Sequence, residues 1–188
     1  MDDFLDILNK HRQIYIRQLL EFYQKRTEGA RELLLKMNSE KEDLLFDLSR
    51  MDYLLKDNED WKIEELSPDT FANHRPIGFS FGKMQIELNP IYWHGCQFAI
   101  NKQSDDIEWL KSWAQKWIDE DELIPKENDG LTGAIHNVTT PTIDNGTITF
   151  TVDLGTASVD SVVELVQLIK QTGTEKLVIN SFDLMDNE

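Results

Sequence analysis

The sequence predicts an α+β protein in which an amino-terminal helical hairpin precedes a mixed β-sheet. Three observations predict this class. The first 55 residues contain no proline, the later chain switches between strand-like and helix-like apolar spacing, and the composition is 40% hydrophobic and 29% charged, as in ordinary globular proteins. From residue 77 onward we expect the order ββα-ββαβ, with the helices packed on one face of the sheet.

The helical segment is predicted to span residues 1–70, and an α+β domain residues 71–188. Apolar residues from Phe4 to Leu55 recur at intervals of three and four, the spacing of an amphipathic helix. Ser39, followed three residues later by Glu42, forms a capping box, so a second helix should begin near residue 40. We favour packing of both helices within the chain. The alternative is a homodimer through residues 4–55.

Apolar alternation predicts two strands before the next helix. Phe79 and Phe81 are out of phase with the apolar residues of 84–88, and Gly82 stands at the change of phase. A glycine at such a position indicates a bulge or a tight bend. The second strand is expected over residues 92–100.

Turn and cap signals organise the carboxyl-terminal half. Ser104 is placed to cap a helix rich in tryptophan. Asn145-Gly146 between two apolar runs predicts a hairpin turn. A helix after Ser158 and a strand over residues 177–182 would complete a βαβ unit, whose two strands should be parallel within one sheet.

The charge of the chain favours a basic protein as its partner. Thirty-five acidic residues against nineteen Lys and Arg give a net charge of −16, which repels nucleic-acid phosphates and anionic lipids. The prediction therefore includes no nucleic acid and no membrane. Residues 10–36 carry a local excess of positive charge, which is expected to dock on the acidic body of the same chain, with a phosphate-binding helix as the alternative.

Cysteine use and the amino terminus predict a cytoplasmic location. Cys96 is the single cysteine, so no internal disulfide can form. The opening residues Met1, Asp2 and Asp3 have the wrong charge for a signal peptide. No apolar run approaches the roughly 18 residues that a membrane span requires.

The predicted partner-binding surface joins an aromatic ridge to an acidic run. Three tryptophans follow one another at four-residue spacing and are either core residues or a partly exposed anchor. Four carboxylates come next, where they oppose the helix dipole and repel one another; a solvated loop explains that run equally well. An aromatic anchor with an acidic rim is typical of a surface that captures a basic protein. The predicted binding residues are Trp109, Trp113, Trp117, Asp119, Glu120, Asp121 and Glu122.

Motifs that could support catalysis lack their usual setting. Ser80 lies in a G-x-S-x-G match, but a strand is expected after it instead of the helix that a nucleophile elbow requires. His94 and Cys96 share one strand face without the further ligands that zinc needs. No catalytic residue, metal site or cofactor is predicted.

These observations lead to three functional hypotheses. The leading one is a non-enzymatic, acidic module that binds a basic protein, with an immunity- or antitoxin-like inhibitor of a cationic toxin or nuclease as one concrete form. The second is a hydrolase-like enzyme with a site around Ser80, His94 and Cys96. The third is a structural protein that oligomerises through its amino-terminal helices.

Overall fold

The computed structural model describes residues 2–57, 60–101, 106–126 and 130–181. Within these ranges the helices are α1 (Asp2–Gln24), α2 (Ser39–Glu42), α3 (Glu108–Ile118) and α4 (Val159–Gln171). The strands are β1 (Gly29–Lys36), β2 (Leu48–Asp57), β3 (Asp60–Glu64), β4 (Ile77–Phe81), β5 (Met84–Leu88), β6 (Cys96–Asn101), β7 (Asn137–Val138), β8 (Thr142–Asp144), β9 (Thr147–Asp153) and β10 (Lys176–Ser181). Ser104, the predicted helix cap, and Phe182, the predicted end of the last strand, lie outside the described residues.

The prediction of a second long helix in the hairpin is wrong, because this part of the chain forms a small sheet. β1, β2 and β3 form an antiparallel three-stranded sheet in that order, with Gly29 opposite Leu55 and Lys36 opposite Leu48. The stretch Ser49–Tyr53 of β2 is buried at every position. A strand buried on both faces lacks the alternation that reveals strands in a sequence. The boundary near residue 70 stays a prediction. In the described part of residues 1–70, the long helix α1 is followed by three strands, and the one-turn helix α2 lies between β1 and β2.

Over the described residues, the larger sheet has seven strands in the order β4-β5-β10-β6-β9-β7, with β8 paired to β9. It is mixed, since β10 runs parallel to β5 and antiparallel to β6. β9 is also antiparallel to β6. β9 and β10 therefore run in the same direction, as a βαβ unit requires, with β6 between them.

The predicted order ββα-ββαβ is not found. The described residues have the order βββα-βββαβ from residue 77 onward, because hairpins occur where single strands were expected. β4 and β5 pair antiparallel on either side of Gly82-Lys83. Gly82 has φ +66°, which suits the first position of a two-residue hairpin turn. The change of phase therefore marks a turn between two strands. The turn predicted at Asn145-Gly146 is confirmed, with φ +47° and +76°.

Helices α1, α3 and α4 cover one face of the large sheet. The rings of Phe4 in α1 and Phe79 in β4 lie 5.2 Å apart, and those of Trp109 in α3 and Phe150 in β9 lie 6.2 Å apart. The strand register places Phe79 and Phe150 on the same sheet face, and α4 contacts both α1 and α3. Full burial of one large apolar side chain contributes about 1.5 to 3 kcal/mol, so this layer holds the helices in place.

The apolar stripe of α1 is used inside its own chain. Its buried members are Phe4, Leu8, Tyr15, Leu19 and Tyr23. Arg12 on the same helix donates hydrogen bonds to the carbonyls of Thr156 and Ala157, at 2.9 and 2.8 Å, just before α4. Association of two copies through residues 4–55 stays a prediction.

Candidate functional site

The predicted acidic run is a loop that ends α3. Asp119 has the left-handed φ of +54° that ends the helix. Its buried carboxylate accepts hydrogen bonds from the backbone N–H of Leu123 at 2.7 Å and of Ile124 at 3.1 Å. Asp119 therefore fixes the loop from inside, and a binding role for it stays a prediction. The carboxylates exposed by the loop are Glu120, Asp121 and Glu122.

Arg50 of β2 holds this loop from inside the protein. Its side chain is fully buried, and it donates to the carbonyls of Ile118 at 2.9 Å and Asp119 at 2.7 Å. These carbonyls at the helix end have no partner within the helix, and a cation there also complements the helix dipole. Nη1 of Arg50 donates to the carbonyl of Glu32 in β1 at 3.3 Å. The loop is thus tied to the small sheet.

The β1–β2 connection carries further exposed carboxylates, and one of them, Asp47, lies beside the loop. A cleft of about 220 Å³ has Asp47 from the connection and Glu120 from the loop in its lining. We call the combined set the acidic face; it comprises Glu40, Glu42, Asp43, Asp47, Glu120, Asp121 and Glu122. The lysines on the same two segments are Lys36, Lys41 and Lys126. Seven carboxylates against three lysines leave an excess of four negative charges.

An apolar side chain projects from the acidic face. Leu123 is 78% exposed, although its backbone N–H is held by Asp119. It lines a second cleft, of about 260 Å³, together with Arg50, Glu122 and Lys126. Leu123 is not among the predicted binding residues, since a single leucine after four acidic residues has no periodic partners that would mark it as exposed.

The structure separates the three predicted tryptophans by their burial. Trp113 is buried, and its Nε1 donates to the carbonyl of Ser161 at 3.0 Å. Trp109 and Trp117 are half-buried. Their Nε1 atoms donate within the chain, to the carbonyl of Asp106 and to the Glu164 carboxylate, both at 3.0 Å. Trp113 is a core residue, and a binding role for Trp109 and Trp117 stays a prediction.

The residues of the hydrolase hypothesis do not face one another. Ser80 is exposed on β4 and its hydroxyl donates to Gln85 at 3.1 Å. β5 and β10 lie between β4 and β6, so Ser80 and Cys96 are about 14 Å apart or more across the sheet. Cys96 is fully buried, and burial raises the pKa of its thiol. The ring of His94 stacks on Tyr15, and the three side chains do not form one site.

Four ionisable side chains meet where the small sheet contacts the large sheet. We call them the buried charge cluster. It consists of Glu32 in β1, Asp52 in β2, His136 directly before β7, and Asp153 at the end of β9. Glu32 and Asp52 are opposite each other in the β1–β2 ladder, because Arg31 pairs with Tyr53 and Leu33 with Met51. Nε2 of His136 lies 3.7 Å from Glu32, and Nδ1 lies 3.5 Å from Asp52 and 3.7 Å from Asp153. One imidazole therefore stands among three carboxylates.

Neighbouring donors complete the environment of the carboxylates. Glu32 accepts from the N–H and the hydroxyl of Thr132, at 2.9 and 2.8 Å, and from the hydroxyl of Thr156 at 2.5 Å. Asp52 accepts from the N–H of Leu66 at 2.7 Å and from the hydroxyl of Tyr15 at 3.3 Å. Ionised carboxylates need such partners when they are removed from water.

The cluster keeps His136 positively charged at neutral pH. Burial opposes the charge, but Asp153, Glu32 and Asp52 outweigh it and raise the pKa of His136 to about 9. Burial also raises the pKa of Asp153, to about 6, against the attraction of His136. Burial raises the pKa of Glu32, but His136 and the threonine donors lower it by more, so its pKa lies below the ordinary value. His136 is completely buried, so it cannot reach a substrate, and its charge serves the fold.

A second histidine pair joins α1 to the segment before β4. Nε2 of His11 lies 3.1 Å from Nε2 of His74. Burial, followed by the proximity of His74, lowers the pKa of His11 to about 4. The neutral form of His11 is therefore the one that the fold favours.

Among the described residues, no set of three or more His, Cys, Asp or Glu side chains is arranged to hold a metal ion. In the same ranges, no helix combines the length and the apolar character needed to cross a membrane.

Comparisons with protein-family models, with curated protein sequences and with solved structures find no match to this chain.

We predict that the protein loses stability as the pH rises from about 7 to about 9. The pKa of His136 lies above the 6.5 of an unfolded histidine. Its charge therefore stabilises the fold fully below about pH 6.5, and this contribution is lost as the pH rises through about 9, by roughly 2 to 3 kcal/mol. Urea unfolding across this range measures the change.

The matched variant for this measurement is His136→Gln. It should be less stable by about 3 to 5 kcal/mol, because three carboxylates lose their buried counter-charge. Its remaining stability should also vary less between pH 7 and 9 than that of the wild type. Equal pH slopes in the two proteins would contradict the assignment of the charge to His136.

We predict that Gly155→Ala destabilises the protein by about 3 kcal/mol. Gly155 has φ +47°, and a Cβ at this position would overlap the ring of His136. The control is Gly95→Ala, since Gly95 is not in the left-handed region and a Cβ there has nothing within 4 Å. Thermal unfolding of the two variants should differ clearly, and similar melting temperatures would show that the ring of His136 can move aside.

Proposed function

We propose that this protein is a non-enzymatic binding module whose acidic face engages a basic protein partner. The observation that carries the proposal is an exposed apolar side chain, Leu123, on an ordered loop beside Glu120, Asp121 and Glu122. Interfaces commonly centre on a buried apolar anchor and surround it with polar side chains. Leu123 supplies the anchor, and the carboxylates supply the rim.

The order of the loop supports a binding role. Asp119 accepts two backbone hydrogen bonds within the loop, and Arg50 holds its first carbonyl. A loop that is already ordered loses less conformational entropy when a partner binds. The four-charge excess of the acidic face is part of a net charge of −16, and negative charge of this size speeds encounter with a cationic surface.

Inhibition of a cationic toxin or nuclease is the form of this function that we favour. Enzymes that act on nucleic acids present positively charged surfaces to phosphate groups. An acidic face can cover such a surface and exclude the nucleic acid, as an immunity or antitoxin protein would. The proposal includes a cytoplasmic location and no direct contact with nucleic acid or membrane.

The two other hypotheses receive less support. A hydrolase site around Ser80, His94 and Cys96 would need these side chains to converge, and β5 and β10 stand between Ser80 and Cys96. Self-association through the amino-terminal helices would need an available apolar stripe, and that of α1 is buried in its own chain.

We predict that the triple variant Glu120→Gln, Asp121→Asn, Glu122→Gln binds the basic partner about tenfold more weakly at low salt. The partner is first obtained by capture from the native host across a salt series and identified by mass, and affinities are then measured with that purified protein. Affinity for the wild type should fall steeply as salt rises, because exposed charges are screened. The triple variant should show a shallower dependence. Asp119 is left unchanged, since its carboxylate holds the loop.

The control neutralises three exposed carboxylates outside the acidic face, through Asp6→Asn, Glu21→Gln and Glu175→Gln. It changes the net charge by the same amount as the triple variant. Equal loss of affinity in both proteins would mean that overall charge, and not the acidic face, captures the partner, and the proposed surface would then be withdrawn.

We predict that Leu123→Ser weakens the same complex by tenfold or more, because an apolar anchor buried in an interface is a typical hot spot. The loss should persist at high salt, unlike that of the carboxylate variant, since burial of apolar area is not screened. Stability should change little, as Leu123 is 78% exposed. Calorimetric titration at two salt concentrations measures both effects, and unchanged affinity would remove Leu123 from the interface.

A further inference from the structure

In the part of the chain that the structure describes, strand β4 forms a free edge of the large sheet. It lies at the end of the strand order and pairs with β5 on one side; among the described residues no strand pairs with its other side. Phe81 and Met84 flank the two-residue turn and close the hairpin, so the N–H and C=O groups of Ile77, Phe79 and Phe81 point toward β5. Those of Gly78 and Ser80 therefore point away from the sheet. Both residues are exposed, and a Cβ on Gly78 would meet nothing within 4 Å.

This edge lacks the charges that usually protect exposed strands. Soluble proteins place lysine, other charges or proline on edge strands to prevent pairing with another chain. β3, an edge of the small sheet, has this protection in Asp60, Lys62 and Glu64. β4 reads Ile-Gly-Phe-Ser-Phe and has none. In a chain of net charge −16, an uncharged edge is a place where two copies can meet without direct repulsion between carboxylates.

The sequence of β4 is also complementary to itself. If two copies pair antiparallel about a two-fold axis at Phe79, each Gly78 faces Ser80 of the other copy and each Ile77 faces Phe81. Small side chains then oppose small ones, and apolar side chains oppose apolar ones. The outward N–H and C=O groups of Gly78 and Ser80 form the closely spaced hydrogen-bonded pairs of an antiparallel ladder.

We propose that β4 is a self-association edge at which a second copy of this chain adds its own β4 antiparallel, with Phe79 facing Phe79 across a two-fold axis. The two large sheets become one continuous sheet. Closed two-fold symmetry limits the assembly to a dimer, because each copy uses its single β4 edge once. The acidic face is made of other elements, α2 with its flanking connection and the loop after α3, and it is not part of the pairing.

Charges near the edge give the dimer a characteristic salt dependence. Arg75 and Lys83 are exposed just beyond the two ends of β4, and the proposed register places Arg75 of one copy near Lys83 of the other. Salt screens this repulsion, and it also screens the repulsion between the two negatively charged chains. Dimerisation should therefore strengthen as salt rises, whereas capture of a basic partner by the acidic face should weaken.

The experiment is analytical ultracentrifugation of the full chain over a range of concentration and salt. The wild type should reach twice the 21.9 kDa of one chain, with tighter association at higher salt. Ser80→Lys alone and Gly78→Glu alone should each weaken dimerisation by about tenfold, since each places two like charges close to the two-fold axis. The double variant Gly78→Glu, Ser80→Lys should regain it, because each glutamate then faces a lysine of the other copy.

The control variant is Thr142→Lys, which adds the same charge to an exposed position on β8 and should dimerise like the wild type. Circular dichroism and thermal unfolding establish that each variant is folded. A wild type that stays monomeric at every concentration and salt would overturn the proposal. So would single variants that dimerise as the wild type does, or a folded double variant that fails to regain association. These measurements need no partner, so they succeed or fail independently of the proposed function, and the acidic-face triple variant should still dimerise.

Discussion

The charged ring of His136 joins two sheets that share no strand. Glu32 and Asp52 come from neighbouring strands of the small sheet, Asp153 comes from β9 of the large sheet, and His136 stands among them. Two like charges on neighbouring strands are unfavourable without a counter-charge, and this imidazolium supplies one to both Glu32 and Asp52. A hydrogen bond from the N–H of Arg50 to the carbonyl of His136, at 2.9 Å, adds a direct backbone link between the two sheets.

The same attachment determines the geometry of the acidic face. Arg50 follows the fully buried Ser49 in β2, and its guanidinium reaches the carbonyls at the end of α3 as well as the carbonyl of Glu32. The acidic loop is therefore fixed from the small sheet, and Asp47 of the β1–β2 connection lies beside it. A change that loosened the buried charge cluster would also disturb the proposed binding surface, although no residue of that cluster is exposed there.

The two proposed surfaces use different physical interactions. The acidic face relies on long-range attraction together with one apolar anchor, and attraction of this kind is weakened by salt. The free edge of β4 relies on backbone hydrogen bonds and apolar contact, where salt helps by screening repulsion between two anionic chains. The acidic face lies on the β1–β2 connection and on the loop after α3, while β4 ends the large sheet. A dimer would therefore present two copies of the acidic face, which raises avidity for a partner that is itself repeated.

Local patterns in the sequence determined α1, α4 and the alternating strand β9, because burial on one side leaves a clear apolar period. They also determined the turn at Asn145-Gly146, because such turns need particular residues. The small sheet could not be predicted in this way, since β2 is buried on both faces and its apolar spacing also fits a helix. For the candidate site, the sequence indicated the acidic run, but its neighbours arise from contacts such as that of Arg50 with Asp119, sixty-nine positions apart. Only the tertiary structure decided that Asp119 faces inward, that Leu123 faces outward and that one histidine meets three carboxylates, because these outcomes depend on which distant segments the fold brings together.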